Sequence, residues 1–264
     1  MLQFQFQPIT LTSFPAIVKQ ALKQTVLLLL SLAFLFYSLP AQAAPRINPQ
    51  LEEQVLQIIR EHPEVILESV QAYQQQQQQE IQKTREAFLE ELKANPKAVI
   101  GSSPTTGATE LKTVLLEFSD FQCPFCAQAQ KTLKPLIAKY QDQVTLVYKH
   151  FPLTPIHPQA MSAAKAAWAA NQQGKFWEYH DALFSQQDQL GEELYLDIAQ
   201  TLNLDLEQFN RDRNAGAERA IQQDIQLATK LALSGTPFFL IQSETFSGAV
   251  QLSAIEKVLA GTNK

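Results

Sequence analysis

Cys123 and Cys126 are the only two cysteines among 264 residues, set two apart in Phe121-Gln122-Cys123-Pro124-Phe125-Cys126. Thiols at that spacing can close and reopen a disulfide, one sulfur attacking as the thiolate and the other resolving the mixed disulfide that results. Which sulfur attacks depends on the elements around the pair. Ahead of it, Thr113-Val114-Leu115-Leu116 is apolar and partly β-branched, as in a strand buried on both faces. Behind it, Ala127 to Tyr140 spaces apolar residues at helical intervals. Cys123 therefore falls at a helix N-terminus, where unpaired N–H groups and the macrodipole favour an anion, with Cys126 one turn inside. Pro124 takes the first helical position, where a missing N–H costs nothing. Cys123 is the expected nucleophile and Cys126 the resolving thiol. An inert structural disulfide and half of a zinc site are the competing readings. Zinc would need two more ligands, and His62, His150, His157 and His180 form no close pair at ligand spacing. No metal and no cofactor are expected.

The surrounding chain narrows the setting. A hydrophobic content of 45% is ample for an ordinary core, and a net charge of −5 argues against a nucleic-acid partner. Residues 1–24 carry Lys19 and Lys23 and no acid; an apolar run from Thr25 to Leu39 follows, then Pro40 and Ala41-Gln42-Ala43. That layout reads as a secretory signal peptide over 1–43, with a retained membrane anchor as the alternative. Either way the remainder is expected to be exported, where a disulfide can persist.

Residues 44–95 read as an N-terminal helical arm. Leu51, Val55 and Ile58 step at helical intervals up to His62-Pro63, and the pattern restarts at Ile66, Val70 and Tyr73, then Ile81, Phe88 and Leu92. Gln74 to Gln79 interrupt the apolar stripe without breaking helix propensity, although a glutamine run also suits a flexible arm. The stripe spanning 47–93 has to be buried, by self-association into a homo-oligomer or by packing onto the rest of the chain. Residues 96–110, with Gly101-Ser102-Ser103-Pro104 and Gly107, have the composition of a linker.

From 111 to 264 the expectation is an α/β domain: a second strand at Val144–Tyr148, helical material over about 151–233, a strand at Phe238–Ile241 after Ser234-Gly235-Thr236-Pro237, a short strand at Thr245-Phe246, and a closing helix over Leu252–Leu259. Trp168 and Trp177 are read as core of the helical insert, and His150, His157 and His180 as structural or surface residues.

Together these features resemble the DsbA-like thiol:disulfide oxidoreductases of the thioredoxin superfamily. The resemblance is carried by Glu117-Phe118-x-Asp120-Phe121-x-Cys123-Pro124-x-Cys126, by Phe151-Pro152-Leu153 and Lys175-Phe176-Trp177-Glu178-Tyr179-His180, by Gly235-Thr236-Pro237-Phe238-Phe239, and by the Gly248-Ala249 turn before the last helix. It implies a thioredoxin-like mixed sheet with an inserted helical subdomain, preceded by the arm. It implies that Pro237 is cis and faces the cysteines, that the Thr236 backbone pairs with an extended client chain, and that Glu117 lies near the inner sulfur. Burial would raise the pKa of Glu117 and let it take and return the Cys126 proton. Pro124 and Phe125 would tune Cys123. Many strongly oxidising members carry histidine where this chain has Phe125, so Cys123 is expected to be less acidic than theirs.

The arm, through Glu61-x-Pro63-Glu64-Val65-Ile66, resembles the oligomerisation segment of exported DsbA-like proteins related to copper-resistance thiol proteins. The expected activity is thiol:disulfide exchange with client proteins that bear cysteine thiols, in the direction of oxidation, with reoxidation by a membrane redox partner, most naturally in a bacterial periplasm. An isomerase or reductase joined through the arm, and a non-catalytic holdase for exported chains, are the competing functions.

Overall fold

A computed structural model describes residues 20, 23–30, 48–111, 113–241, 244–247 and 255–258. Most of the expected signal segment, the Gly248-Ala249 turn and the ends of the closing helix lie outside these; residues 23–30 and 255–258 are helical. Among the described residues no helix is long and apolar enough to cross a membrane. The chain forms two compact units, Met1–Ser69 and Val70–Lys264.

In the first unit, helix α1 runs from Pro49 to Glu61. Its start is set by Asn48, whose side chain accepts from the Gln50 N–H at 3.0 Å, and by proline just inside it. Glu52 in the first turn and Arg60 in the last both suit the helix dipole. Leu51, Val55 and Ile58 share one face and are all exposed. Helix α2, Pro63–Ala94, begins after His62 and carries Val65, Ile66 and Leu67 into the same unit, also exposed.

The remainder of α2 belongs to the second unit, and its glutamine run is helical throughout. Toward its end the helix is tied down. Leu89 and Leu92 are buried in a cluster with Leu116, Phe118, Phe238 and Leu240. Arg85 donates to the carbonyls of Leu231 and Ala232, both at 2.9 Å, and lies over the Phe238 ring. A cation that closes two part-buried carbonyls and stacks on an aromatic face contributes more than an ordinary surface residue. Arg85→Ala is therefore expected to cost about 2 kcal/mol of stability, read as a lower urea midpoint with an unchanged slope.

The stretch 96–110, expected as a linker, is folded. It holds helix α3 (Pro96–Ile100) and strand β1 (Thr105–Gly107). The residues that suggested a linker serve a tight edge: Gly107 has φ +89°, and a Cβ there would stand 2.2 Å from the Val144 carbonyl oxygen. Ala108 N–H donates to that same oxygen, and the Thr145 hydroxyl donates to the Ala108 carbonyl.

Five strands form one sheet in the order β1-β3-β2-β4-β5, with β2 at Thr113–Ser119, β3 at Val144–His150, β4 at Phe238–Ile241 and β5 at Glu244–Ser247. β2 and β3 are parallel, Leu115 opposite Leu146, and the crossover between them is helix α4, Pro124–Lys139. β4 joins β2 antiparallel, with Glu117 opposite Phe239 and Phe118 opposite Phe238. β2 and β3 are buried along their whole length, which is why both read as continuous runs.

Between β3 and β4 lies the helical insert: α5 (Ala160–Asn171), α6 (Phe176–Ser185), α7 (Glu192–Thr201), α8 (Leu206–Ala215) and α9 (Ala217–Lys230). Alanines 163, 166, 167, 169 and 170 of α5 pack against Tyr179, Tyr195 and Phe209. Arg213 near the end of α8 pairs with Glu192 of α7.

Candidate functional site

The strand β2 to helix α4 junction places the cysteines. Cys123 is the N-cap residue of α4 with extended backbone (φ −74°, ψ 121°), Pro124 opens the helix, and the N–H groups of Cys126 and Ala127 close back onto the Cys123 carbonyl. Both sulfurs are free thiols; Cys123 exposes 3% of its surface and Cys126 none. Phe125 between them is 58% exposed. Opposite, the Thr236–Pro237 bond is cis, and the Cys123 thiol lies 3.3 Å from the Thr236 carbonyl oxygen. Residues 113 apart in sequence thus meet at one sulfur.

The two thiols have opposite acidities. The Cys123 thiol is pushed down to about 5, chiefly by hydrogen bonding from the Cys126 thiol; burial opposes this, and the nearby Thr236 hydroxyl with the Cys126 and Phe125 N–H groups assists. Burial first, and the Cys123 sulfur second, push the Cys126 thiol up. Cys123 is therefore the thiolate at neutral pH. The phenylalanine at 125 does not prevent that, since the acidifying groups come from the helix end and the second thiol.

Glu117 is fully buried on β2, and burial raises its pKa to about 7. Gln130 of α4 donates to both carboxyl oxygens at 3.2 Å. The Ser119 hydroxyl has no partner at full hydrogen-bond contact, yet it lies close enough to Glu117 and Cys126 to lower both acids.

Several residues that build this site carry no signal in sequence spacing. Asp120 is buried beneath the turn; Oδ1 accepts from the Gln122 N–H at 2.8 Å, and Oδ2 from the Leu153 N–H at 2.9 Å, with His157 Nδ1 at 2.7 Å. Gln122 accepts from the Gln159 N–H, and Gln187 of the insert donates to the carbonyls of Phe121 (2.7 Å) and Cys123 (3.0 Å). The cysteine turn is thus held from both sides by the segment after β3 and by the insert. His157 is a support for Asp120, while His150 and His180 are fully buried against Phe121 and Tyr148, with burial holding both imidazoles below their usual range. An Asp two residues before Gln122 is the one local hint available, since aspartate commonly closes such a turn on the backbone.

A thiolate at a helix tip, a buried partner thiol and a cis-proline segment against them invite comparison with known proteins. The model of the DSBA-like thioredoxin domain matches residues 114–260. The chain belongs to this family. Among solved structures similar to this DSBA-like chain is a thioredoxin-like oxidoreductase from Silicibacter pomeroyi, 31% identical with a TM-score of 0.58, covering 64% of this chain and 98% of that one. The thiol-disulfide exchange protein alpha-DsbA2 of Wolbachia pipientis shares the fold at 23% identity and a TM-score of 0.59, covering 67% and 97%. So does Proteus mirabilis ScsC in a transitional conformation, at 24% identity and 0.56, covering 81% of this chain and 98% of that one.

Curated relatives of the DSBA-like domain include the Na(+)/H(+) antiporter NhaA 3 of Salinispora tropica, 40% identical over 152 residues, which are 56% of this chain and 23% of that protein. The NhaA 1 antiporter of Salinispora arenicola is 37% identical over 163 residues, 59% and 24%. The match spans about a quarter of the length of these relatives.

Proposed function

We propose that this chain is an exported thiol:disulfide oxidoreductase that oxidises client proteins through the Cys123–Cys126 pair. The observation that carries the reading is the Cys123 thiol, acidified to about 5 at the tip of α4 and 3.3 Å from the Thr236 carbonyl. A low thiol pKa stabilises the reduced form, makes Cys123 a good leaving group, and so favours passing the disulfide onward.

The reaction begins when a client thiolate attacks Cys123 Sγ. A client S–Cys123 bond forms, the Cys123–Cys126 bond breaks, and its electron pair goes to Cys126, which is protonated because burial raises its pKa. Glu117, neutral about half the time near pH 7, supplies that proton past Ser119. A second client thiolate then attacks the client sulfur and expels Cys123 as the stable thiolate, leaving the client oxidised and the enzyme reduced. A membrane redox partner would restore the disulfide. Thr236 and Pro237 form the docking edge: the Thr236 carbonyl already faces the reactive sulfur and can accept from an extended client backbone, as in strand addition. Phe125, exposed beside it, offers that client an apolar contact. Pro124 sets the helix start that acidifies Cys123. Export is supported by the signal-like leader, and one structure of the same fold, 24% identical, is described as a periplasmic thioredoxin-like protein from Salmonella enterica.

One observation favours a second reading. The exposed apolar face of α1, with Leu51, Val55 and Ile58, and the exposed Val65 and Ile66 that follow suit self-association of the arm. Joining several active sites around one client would turn the same chemistry toward isomerisation.

Equilibration of the protein in glutathione buffers, with trapping of the free thiols, tests direction. The oxidase reading expects a reduction potential well above that of thioredoxin, on the side of the strongly oxidising exchangers. A potential near thioredoxin's, joined to a trimer or dimer in light scattering, would replace it with the isomerase or reductase reading.

A further inference from the structure

This inference rests on the reading of Thr236 and Pro237 as the edge where an extended client docks. Such an edge helps most when it is already in place, because a segment that the client itself has to order loses affinity to that ordering. The docking segment does little to hold itself. Among the described residues Ser234 and Gly235 make no backbone hydrogen bond, and a Cβ built on Gly235 would meet nothing within 4 Å. The Thr236 carbonyl lies 3.3 Å from the Cys123 thiol, but a sulfur in a disulfide has no proton to donate to it. In the oxidised form the segment depends on its two ends.

At the first end, α9 gives way to Ala232 at φ +51°, a left-handed conformation that a residue with a Cβ adopts at a cost. The N–H groups of Ala232 and Leu233 close back on the carbonyls of Thr229 and Ala228, which leaves the Leu231 and Ala232 carbonyls to another donor. At the second end, Phe238 enters β4 opposite Phe118. Arg85 touches both. Its Nε donates to the Leu231 carbonyl and its Nη2 to the Ala232 carbonyl, each at 2.9 Å, while the guanidinium carbon stands 5.3 Å from the centroid of the Phe238 ring. Arg85 is half-buried and comes from α2, 146 residues before Leu231. Further along the same helix, Leu89 and Leu92 are buried in one cluster with Leu231, Leu233 and Phe238. A planar fork of fixed donors suits a side chain that has to serve two carbonyls and an aromatic face at once.

We propose that Arg85 is the positioning residue of the docking edge, a staple from the arm helix that joins the two ends of the segment from Leu231 to Phe238. It holds Thr236 and Pro237 in place against Cys123 before a client arrives. Arg85 touches neither sulfur and acts on the client through the segment. The last turns of α2 are therefore part of the support of the client site.

Stopped-flow reduction of the full oxidised chain tests the staple with two reductants: an extended cysteine peptide, which has to lie along the docking edge, and dithiothreitol, which needs only the sulfur. Arg85→Ala is expected to lower the second-order rate constant for the peptide about tenfold, the factor that corresponds to ordering roughly one backbone residue, and to leave dithiothreitol nearly unchanged. Ile198→Ala controls for lowered stability alone. It opens a cavity in the insert, within a cluster that contains no residue of 231–238, and is expected to leave the ratio of the two constants as in the unaltered chain. Arg85→Lys keeps the cation without the fork and serves if Arg85→Ala does not fold; a smaller loss, again confined to the peptide, is expected. Equal slowing with both reductants, a peptide-selective loss in Ile198→Ala as large as in Arg85→Ala, or an unchanged peptide reaction in the Arg85 variant would each overturn the staple. Results on the unaltered chain read the layer beneath: reaction with neither reductant would remove the exchange reaction, and a peptide no faster than free cysteine would remove the docking edge.

Discussion

Replacing Cys123 by serine is expected to abolish disulfide transfer to a reduced client, a loss of at least a thousandfold, since an alcohol cannot close or open the S–S bond. Cys126→Ser should behave differently. Cys123 remains acidified by the N–H groups of Cys126 and Phe125, so it should still form mixed disulfides when offered an activated disulfide. These adducts should accumulate, because the resolving thiol is missing. Non-reducing gels of the two variants, mixed with an unfolded client whose cysteines have been converted to activated mixed disulfides, read the outcome directly: no adduct for Cys123→Ser and a persistent one for Cys126→Ser, with the activating thiol as the leaving group. Protection of that client from aggregation in the doubly substituted chain would favour the holdase function; its loss would not.

Glu117→Gln is expected to stabilise the protein by about 3 kcal/mol at pH 8 and not at all at pH 4. The carboxyl titrates near 7 in the folded chain against an ordinary value of 4.5, through burial. Below pH 4.5 it is protonated in both states and contributes no pH-dependent term. Between 4.5 and 7 the unfolded chain releases the proton and the folded chain keeps it, so stability falls as pH rises; above 7 the loss is complete, at about 1.4 kcal/mol per pKa unit. Glutamine has the same shape and no proton to lose, so urea midpoints of reduced wild-type and variant proteins should diverge only above pH 4.5. The same variant should slow client oxidation if Glu117 supplies the Cys126 proton as proposed. Equal midpoints at pH 8 would mean that Glu117 is ionised and solvated in the fold, and the acid role assigned to it would fall.

The two effects arise from residues of different legibility. Cys123 and Cys126 stand out by count and spacing, and the run before them with the helical pattern after them was enough to put the first sulfur on a helix tip. Thr236 and Pro237 could be read only through resemblance, because nothing local says that a segment 113 residues away folds against a given thiol. Strand β1 escaped for a different reason: three residues ending in glycine give no alternation to detect, and the close approach that demands Gly107 exists only once β3 lies beside it. Gln130 and Gln187 escaped because their partners are a carboxylate and carbonyls from other elements, and a hydrogen bond between distant segments leaves no period in the chain. The Cys123 thiol is lowered chiefly by the Cys126 thiol, with the helix-end N–H groups assisting, and with phenylalanine at position 125.

The placement of β4 beside β2 has a temporal consequence. Synthesis runs from the N-terminus, so both thiols are made long before Thr236 and the strand that carries it into the sheet. A growing chain that has not reached Thr236 carries the sulfurs without the segment that packs against Cys123. Competence arrives only once Thr236 and β4 have been made, which delays reaction with neighbouring nascent chains until then.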